Sequence, residues 1–404
     1  MSALKYWLWL MTRPGMKNAV ARRAVEQFAS PEGAFFADAE DYRAAGGFSE
    51  REIAALADKS ESGAEEILAR CHALGVWVLT MQDADYPDRL KNIYDPPVLL
   101  YGMGRRILFD EEVAVAVVGT RSCSPYGASA AQRLGFQLGR GGAVVVSGLA
   151  RGVDSEAVRG ALRAGAVPVG VLGGGIDVVY PPENRTLFQD VAAGCLLSEY
   201  PPGAEPKGKH FPIRNRIISG LSLGVVVVEG GLESGALITA NHAADQGRDV
   251  FAVPGNIDAP GSAGPNRLLR QGAIPATCGE DILGEYLALY PHKIRHAGGW
   301  EPPAQLARSA PAQAPAEESV PEKELDSPDG RAYIDLQARG DTLSEDEKTI
   351  LRAVGAATLQ IDEIIENAQL PAARVLSVLT MMELRGLVVQ RPGKRFMAAM
   401  VPKN

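Results

Sequence analysis

The sequence predicts an α/β protein built on a doubly wound parallel sheet, and three observations carry that prediction. Short, almost wholly apolar runs recur from Val113 onward: VAVAVV, AVVVSG, VPVGVL, VVVV and DVFAVPG. Alanine-rich amphipathic stretches separate several of them, such as GASAAQRLGFQLGR (Gly127 to Arg140) and SEAVRGALRAG (Ser155 to Gly165). Glycine-containing turns follow the runs. Strands that are apolar on both sides need cover on both faces, which a parallel sheet with helical crossovers supplies.

Taken along the chain, residues 1–80 read as a small helical domain. MKNAVARRAVEQFAS (Met16 to Ser30) places Ala19, Val20, Ala24 and Phe28 on one side of a helix and leaves Arg22, Arg23 and Glu26 to water. Gly75 to Thr80 resembles a short strand, and Tyr86 to Gly104 an ordered connection held by Pro87, Pro96 and Pro97. The doubly wound domain occupies 81–290. Residues 291–340 include HAGGWEPPAQLARSAPAQAPAEESVPEKELDSPDG, which has little to bury and reads as a flexible linker. Within 341–404, Ser344 and Glu347 form a capping box ahead of a helix, followed by helix, turn, helix and a hairpin turning at Pro392 and Gly393. That order predicts a winged helix. Its third helix is poor in basic residues on the face it would expose, which favours a protein contact over a DNA contact.

Composition narrows the function. The chain has 404 residues, 46% of them apolar, and a formal charge of −8. Residues 113–280 are the least acidic region, with 14 basic against 13 acidic side chains, so a nucleic-acid partner needs a focused cleft and not a broad basic face. No run is long enough to span a bilayer, and the apolar start is cut short by Arg13 and Pro14, so no membrane and a cytoplasmic location are expected. Cys71, Cys123, Cys195 and Cys278 show no CxxC spacing, and His210 and His242 have no partner spacing for a metal. Neither GxxxxGK[ST] nor GxGxxG follows any strand, which removes the sequence support for ATP hydrolysis and NAD chemistry. No metal and no cofactor are expected.

The candidate site lies beyond the carboxyl ends of the strands, where open α/β sheets hold ligands. Gly119, Thr120 and Arg121 follow the first run; Ser147, Gly148, Ala150, Arg151 and Gly152 follow the second; Ser234, Gly235 and Thr239 follow VVVV. Glycines there admit backbone N–H groups to an anion, and arginine forks suit phosphate. HFPIRNRIISG adds Phe211, Arg214, Asn215 and Arg216, with Lys209 just before. Arg214 and Arg216 point apart, so one of them locks the fold against Glu199 or Glu229. Phe211 suits base stacking on a single strand or an ordinary core position. The hydroxyls of Ser234 and Thr239 suit phosphate or a helix cap.

The ordered series VVGTRSCSPYG, VVSGLARGVDSEAVRGAL, VLGGGIDVVYPPENRTLF, LLSEYPPGAEPKGKHFPIRNRIISGLS, VVVVEGGLESGALITANHAADQGRDVFAVPG and GPNRLLRQGA resembles the bacterial DNA-processing protein A family, also called Smf. The resemblance implies an extended Rossmann-like fold, flanked by a helical domain akin to sterile-alpha or helix-hairpin-helix modules and by a winged helix. It implies single-stranded DNA as ligand, RecA recombinase as partner, a homodimer, and a role in natural transformation without catalytic turnover. It assigns the GTR, SGLARG and KHFPIRNRII residues to the DNA groove. GGLESGALIT, with Gly231 and Ala236, departs from the family form by at most one hydroxyl, and several members lack so long a linker. The competing enzyme reading is a nucleotide phosphoribohydrolase of the lysine-decarboxylase-like family, with Glu229 and Glu233 as acid or base; the PGGxGTxxE pattern is incomplete here, lacking the proline and the GT pair.

Overall fold

The computed structural model describes residues 3–295, 333–334, 344–354, 359–385, 387–391, 395–398 and 401–402. Most of the expected linker, and the expected hairpin turn at Pro392 and Gly393, lie outside the described residues. The chain divides into two compact units, Met1–Gln313 and Ala314–Asn404.

In the first unit, nine strands form one sheet: β1 (Trp77–Thr80), β2 (Leu99–Gly104), β3 (Ala114–Val118), β4 (Val144–Ser147), β5 (Val169–Leu172), β6 (Cys195–Ser198), β7 (Gly224–Val227), β8 (Asp249–Ala252) and β9 (Ile274–Pro275). Their order is β1-β2-β6-β5-β4-β3-β7-β8-β9. From β6 to β9 every pairing is parallel, whereas β1 and β2 are antiparallel additions at one edge. The five apolar runs are β3, β4, β5, β7 and β8, and β3 is buried at all five positions because helices cover both faces. The expected connection through Tyr86 to Gly104 instead contains a short helix and β2, which enters the sheet. The chain winds outward from β3 through β4 and β5 to β6, then returns to lay β7 on the other side of β3. That reversal puts the switch point between β3 and β7.

Six helices, α1 to α6, fill residues before β1: Leu4–Thr12, Asn18–Gln27, Pro31–Phe36, Ala39–Ala45, Glu50–Ala57 and Ser62–Leu74. They share one core with the sheet, since Trp7, Trp9 and Tyr42 belong to the same buried cluster as Leu149, Val158 and Leu196. Helix α7 (Asp88–Lys91) precedes β2. The crossovers are α8 (Pro125–Arg140), α9 (Val153–Arg163), α10 (Arg185–Ala192), α11 (His210–Leu221), α12 (Gly235–Asp245) and α13 (Ala263–Arg270), and α14 (Gly279–Leu283) ends the series. Gly135 and Gly160 let α8 and α9 pack closely: an added Cβ would lie 2.0 Å from the Ala157 carbonyl and 2.1 Å from that of Gln132. No described helix is long and apolar enough to cross a membrane.

The second unit has helices Glu345–Val354, Ile361–Ala368 and Ala372–Leu384, with an antiparallel sheet of Leu359–Gln360, Arg395–Ala398 and Val388–Arg391. The capping box is present. Glu347 N–H donates to Ser344 Oγ at 3.2 Å, and Ser344 N–H to Glu347 Oε2 at 2.8 Å. Arg374, in the third helix, pairs with Asp346 at 2.6 Å, while Leu376 and Met381 are exposed.

Candidate nucleic-acid interface

A groove of about 570 Å³ opens at the switch point, between the loop after β3 and the starts of α11 and α12. A smaller recess joins it beneath Phe211 and Tyr180. The loop after β3 is fastened across the sheet to the end of β7. Thr120 N–H donates to the Glu229 carbonyl at 2.7 Å, while the Glu229 carboxylate accepts from Ser124 N–H at 2.8 Å and Ser124 Oγ at 2.7 Å. Glu229 is therefore a buried staple, 5% exposed, with its oxygens occupied. Glu233 is exposed and does not line the groove.

Arg121 stands on this anchored loop with its side chain exposed. It makes no hydrogen bond or ion pair among the described residues, and its guanidinium lies 5.3 Å from the Phe211 ring centre. Arg214 is the opposite case. It is 4% exposed, and its Nη1 donates to the Gly148 carbonyl at 3.0 Å and to the Val171 carbonyl. Its guanidinium carbon lies 5.9 Å from the Phe211 centre, so both arginines support that ring. Burial brings the Arg214 pKa down to about 10, with Asp154 opposing the shift and Arg121 adding to it. Burial likewise pushes the Asp154 carboxyl up, against the pull of Arg214 and of the Gly148 N–H that donates to it at 3.0 Å.

The glycines serve close packing more than anion approach. A Cβ on Gly148 would sit 2.5 Å from Arg214 Nη2, and one on Gly173 would sit 3.0 Å from the Phe211 ring. Gly152, at φ +70°, brings its loop against the Thr120 carbonyl, where a Cβ would come within 2.3 Å. Leu149 adopts a left-handed φ of 53°, held by Asn184, whose Nδ2 donates to the Leu149 carbonyl at 3.1 Å. Gly235 is different: nothing lies within 4 Å of its Cβ direction, so the start of α12 is open.

Of the sixteen expected residues, the groove and recess bring together Gly119, Thr120, Arg121, Gly148, Ala150, Arg151, Phe211, Arg214, Asn215, Ser234, Gly235 and Thr239. Four do not line them. Ser147 is fully buried, and its Oγ accepts from Leu149 N–H at 3.3 Å, shaping the turn. Gly152 serves the loop contact described above. Lys209 is exposed at the N-cap of α11, off the lining. Arg216 faces the other way and pairs with Glu199 at 2.6 Å and Asp95 at 3.3 Å. It is the arginine that locks the fold, and its partner is Glu199. Arg151, half exposed, pairs with Glu183 at the rim. Ser234 caps α12 through Ala236 N–H at 3.4 Å, and Thr239 is 2% exposed on the groove wall with no hydrogen bond among the described residues.

Sequence reasoning missed Tyr180 and Asp154, both of which line the groove. The YPPEN stretch after VLGGGIDVV was the available signal for Tyr180, and SGLARGVD contains Asp154.

Comparison with known proteins identifies the family. Residues 77–287 match the family described as DNA recombination-mediator protein A, and residues 335–394 match the DprA winged helix domain. The chain is 36% identical over 338 residues to Protein Smf of Synechocystis sp., covering 79% of each chain. It is 43% identical over 220 residues to DNA processing protein DprA of Bacillus subtilis, covering 54% of this chain and 74% of the relative. The X-ray structure of DNA processing protein A from Streptococcus pneumoniae superposes with a TM-score of 0.63 at 34% identity, covering 70% of this chain and 99% of that one. With a family match across the whole parallel sheet and a relative aligned over most of both chains, the protein belongs to the DNA processing protein A (DprA/Smf) family.

Proposed function

We propose that the protein binds single-stranded DNA in the switch-point groove and acts as a recombination mediator without catalytic turnover. In this reading it loads RecA recombinase onto the strand during natural transformation, as a cytoplasmic homodimer. The domain limits proposed with it are 1–80, 81–290, 291–340 and 341–404, the last serving a protein partner.

The observation that carries the reading is Arg121: a guanidinium without a counter-charge among the described residues, held on an anchored loop over an aromatic ring at the mouth of a groove. A phosphate is the anion that such a fork pairs with, and an aromatic face beside it accepts an unpaired base. Gly235 at the open start of α12 and the Thr239 hydroxyl are neutral donors on the opposite wall. The phosphoribohydrolase reading has no comparable support, because the Glu229 carboxylate is engaged by Ser124 and Glu233 lies off the groove.

Fluorescence anisotropy with labelled oligodeoxythymidine and a duplex of equal length, over a salt series, tests it. Preference for the single strand, weakening as salt rises, is expected. Equal affinity for both forms, or indifference to salt, would refute it.

A further inference from the structure

We propose that Tyr180 is a second base-stacking residue, one nucleotide along from Phe211, and thereby a determinant of selectivity for unpaired strands; this rests on the single-stranded DNA reading of the groove. Tyr180 is 38% exposed and lines both the groove and the recess. Its hydroxyl has no hydrogen-bond partner among the described residues. Pro181 and Pro206 give the recess stiff walls, and the Arg151–Glu183 pair borders it.

The ring geometry decides how a base can be held. Tyr180 and Phe211 have centroids 5.2 Å apart with planes tilted by 34°. Stacked bases are spaced about 3.4 Å, so a base clamped between two rings needs roughly twice that separation. The gap is too small for a clamp. Tyr180 is exposed and Phe211 partly exposed, so each ring can instead meet a base on the surface that the other ring and the two arginines leave open, giving two successive stacking steps that are indifferent to base identity, since every base has a π-face. A paired base inside a duplex cannot reach either face without leaving its stack.

The test compares Tyr180→Ala, Tyr180→Leu and Tyr180→Phe in the full chain, with folding checked by urea melting. On oligodeoxythymidine the Ala and Leu variants should bind about 5- to 150-fold more weakly, and the Phe variant close to wild type. A strand of abasic sugars should be bound alike by all four proteins. A single 2-aminopurine walked along the strand should show a quenched position that the Ala and Leu variants lose and the Phe variant keeps. Wild-type affinity and quenching in the Leu variant, or the same loss on the abasic strand as on the intact one, would overturn the assignment of Tyr180 and leave the groove standing. Failure of the wild-type protein to bind single strands would remove both.

Discussion

Replacing Arg121 by alanine separates binding from folding more cleanly than any other change in the groove. The side chain is exposed, and its described contact is the face of Phe211 at 5.3 Å, so stability should move by no more than about 0.5 kcal/mol. A hydrogen bond to a charged group contributes about 1.5–3 kcal/mol, which places the loss of affinity at roughly 10- to 150-fold. The salt dependence carries the diagnostic content. Each phosphate contact on a single strand contributes about 0.7 to the slope of log affinity against log salt, so losing one flattens the slope by that amount. Between about 50 and 200 mM salt, the deficit of the variant should therefore shrink by roughly 2.6-fold. Anisotropy titrations of both proteins at several salt concentrations read this directly, with a urea melt as the folding control. Unchanged affinity in a folded variant would show that Arg121 does not meet the strand. A deficit of constant size across the series would show that it meets something other than phosphate.

The two arginines of HFPIRNRIISG should behave as structural residues. Arg214→Ala removes a guanidinium that is 4% exposed and leaves Asp154 buried without its positive neighbour, which should lower stability by about 3–5 kcal/mol in urea unfolding; an unshifted midpoint would contradict the buried placement. Glu199→Ala leaves Arg216 with Asp95 alone at 3.3 Å, and a loss of about 3 kcal/mol is expected by the same measurement, with retained stability counting against the pair as an anchor. His242 titrates below its ordinary 6.5 because burial disfavours the imidazolium. A depressed pKa means that its contribution to stability is present above 6.5 and lost as pH falls through the folded value, so melts between pH 7 and 5.5 should show a decline that His242→Gln reduces. An identical pH profile in the variant would remove His242 as the cause.

The central sheet could be read in the sequence because burial on both faces leaves an unbroken apolar signature, as in β3 and β7. Strand β2 could not. It contains Gly102 and Gly104 after a pair of prolines, features that signal a connection. The structure shows why glycine stands at 102: a Cβ there would lie 2.1 Å from the Trp77 ring, which crosses the strand at that point. A glycine after a strand is equally ambiguous in the sequence. Gly148 and Gly173 lack a Cβ where Arg214 and Phe211 lie against the backbone, whereas the start of α12 at Gly235 is open. Local sequence shows that something approaches a glycine, and only the tertiary fold says whether it is ligand or protein. The Arg214–Arg216 divergence was accessible from geometry alone, since residues two apart on a helix lie about 200° apart around its axis.

The same divergence explains how α11 is held rigid enough to present Phe211. On one side Arg214 reaches beneath the ring to the ends of β4 and β5, through the Gly148 and Val171 carbonyls. On the other, Arg216 reaches Glu199, whose carboxylate also accepts from Asn18 Nδ2 of α2 at 2.8 Å, and Asn18 Oδ1 in turn accepts from Val98 N–H at 3.2 Å. A second tie joins α6 to the loops framing the recess: Arg70 pairs with Asp177 at 3.0 Å, and Asp177 accepts from Gly203 N–H at 2.6 Å. The helical segment before the sheet thus braces both α11 and the loops bearing Tyr180 and Pro206. A groove that holds a flexible polymer without reading its sequence, as proposed here, gains affinity chiefly by not having to order itself on binding. The two arginines divide that task, Arg214 fixing the ring from within and Arg216 fixing the helix from without, which leaves Arg121, without an ion pair among the described residues, as the guanidinium proposed to meet the strand.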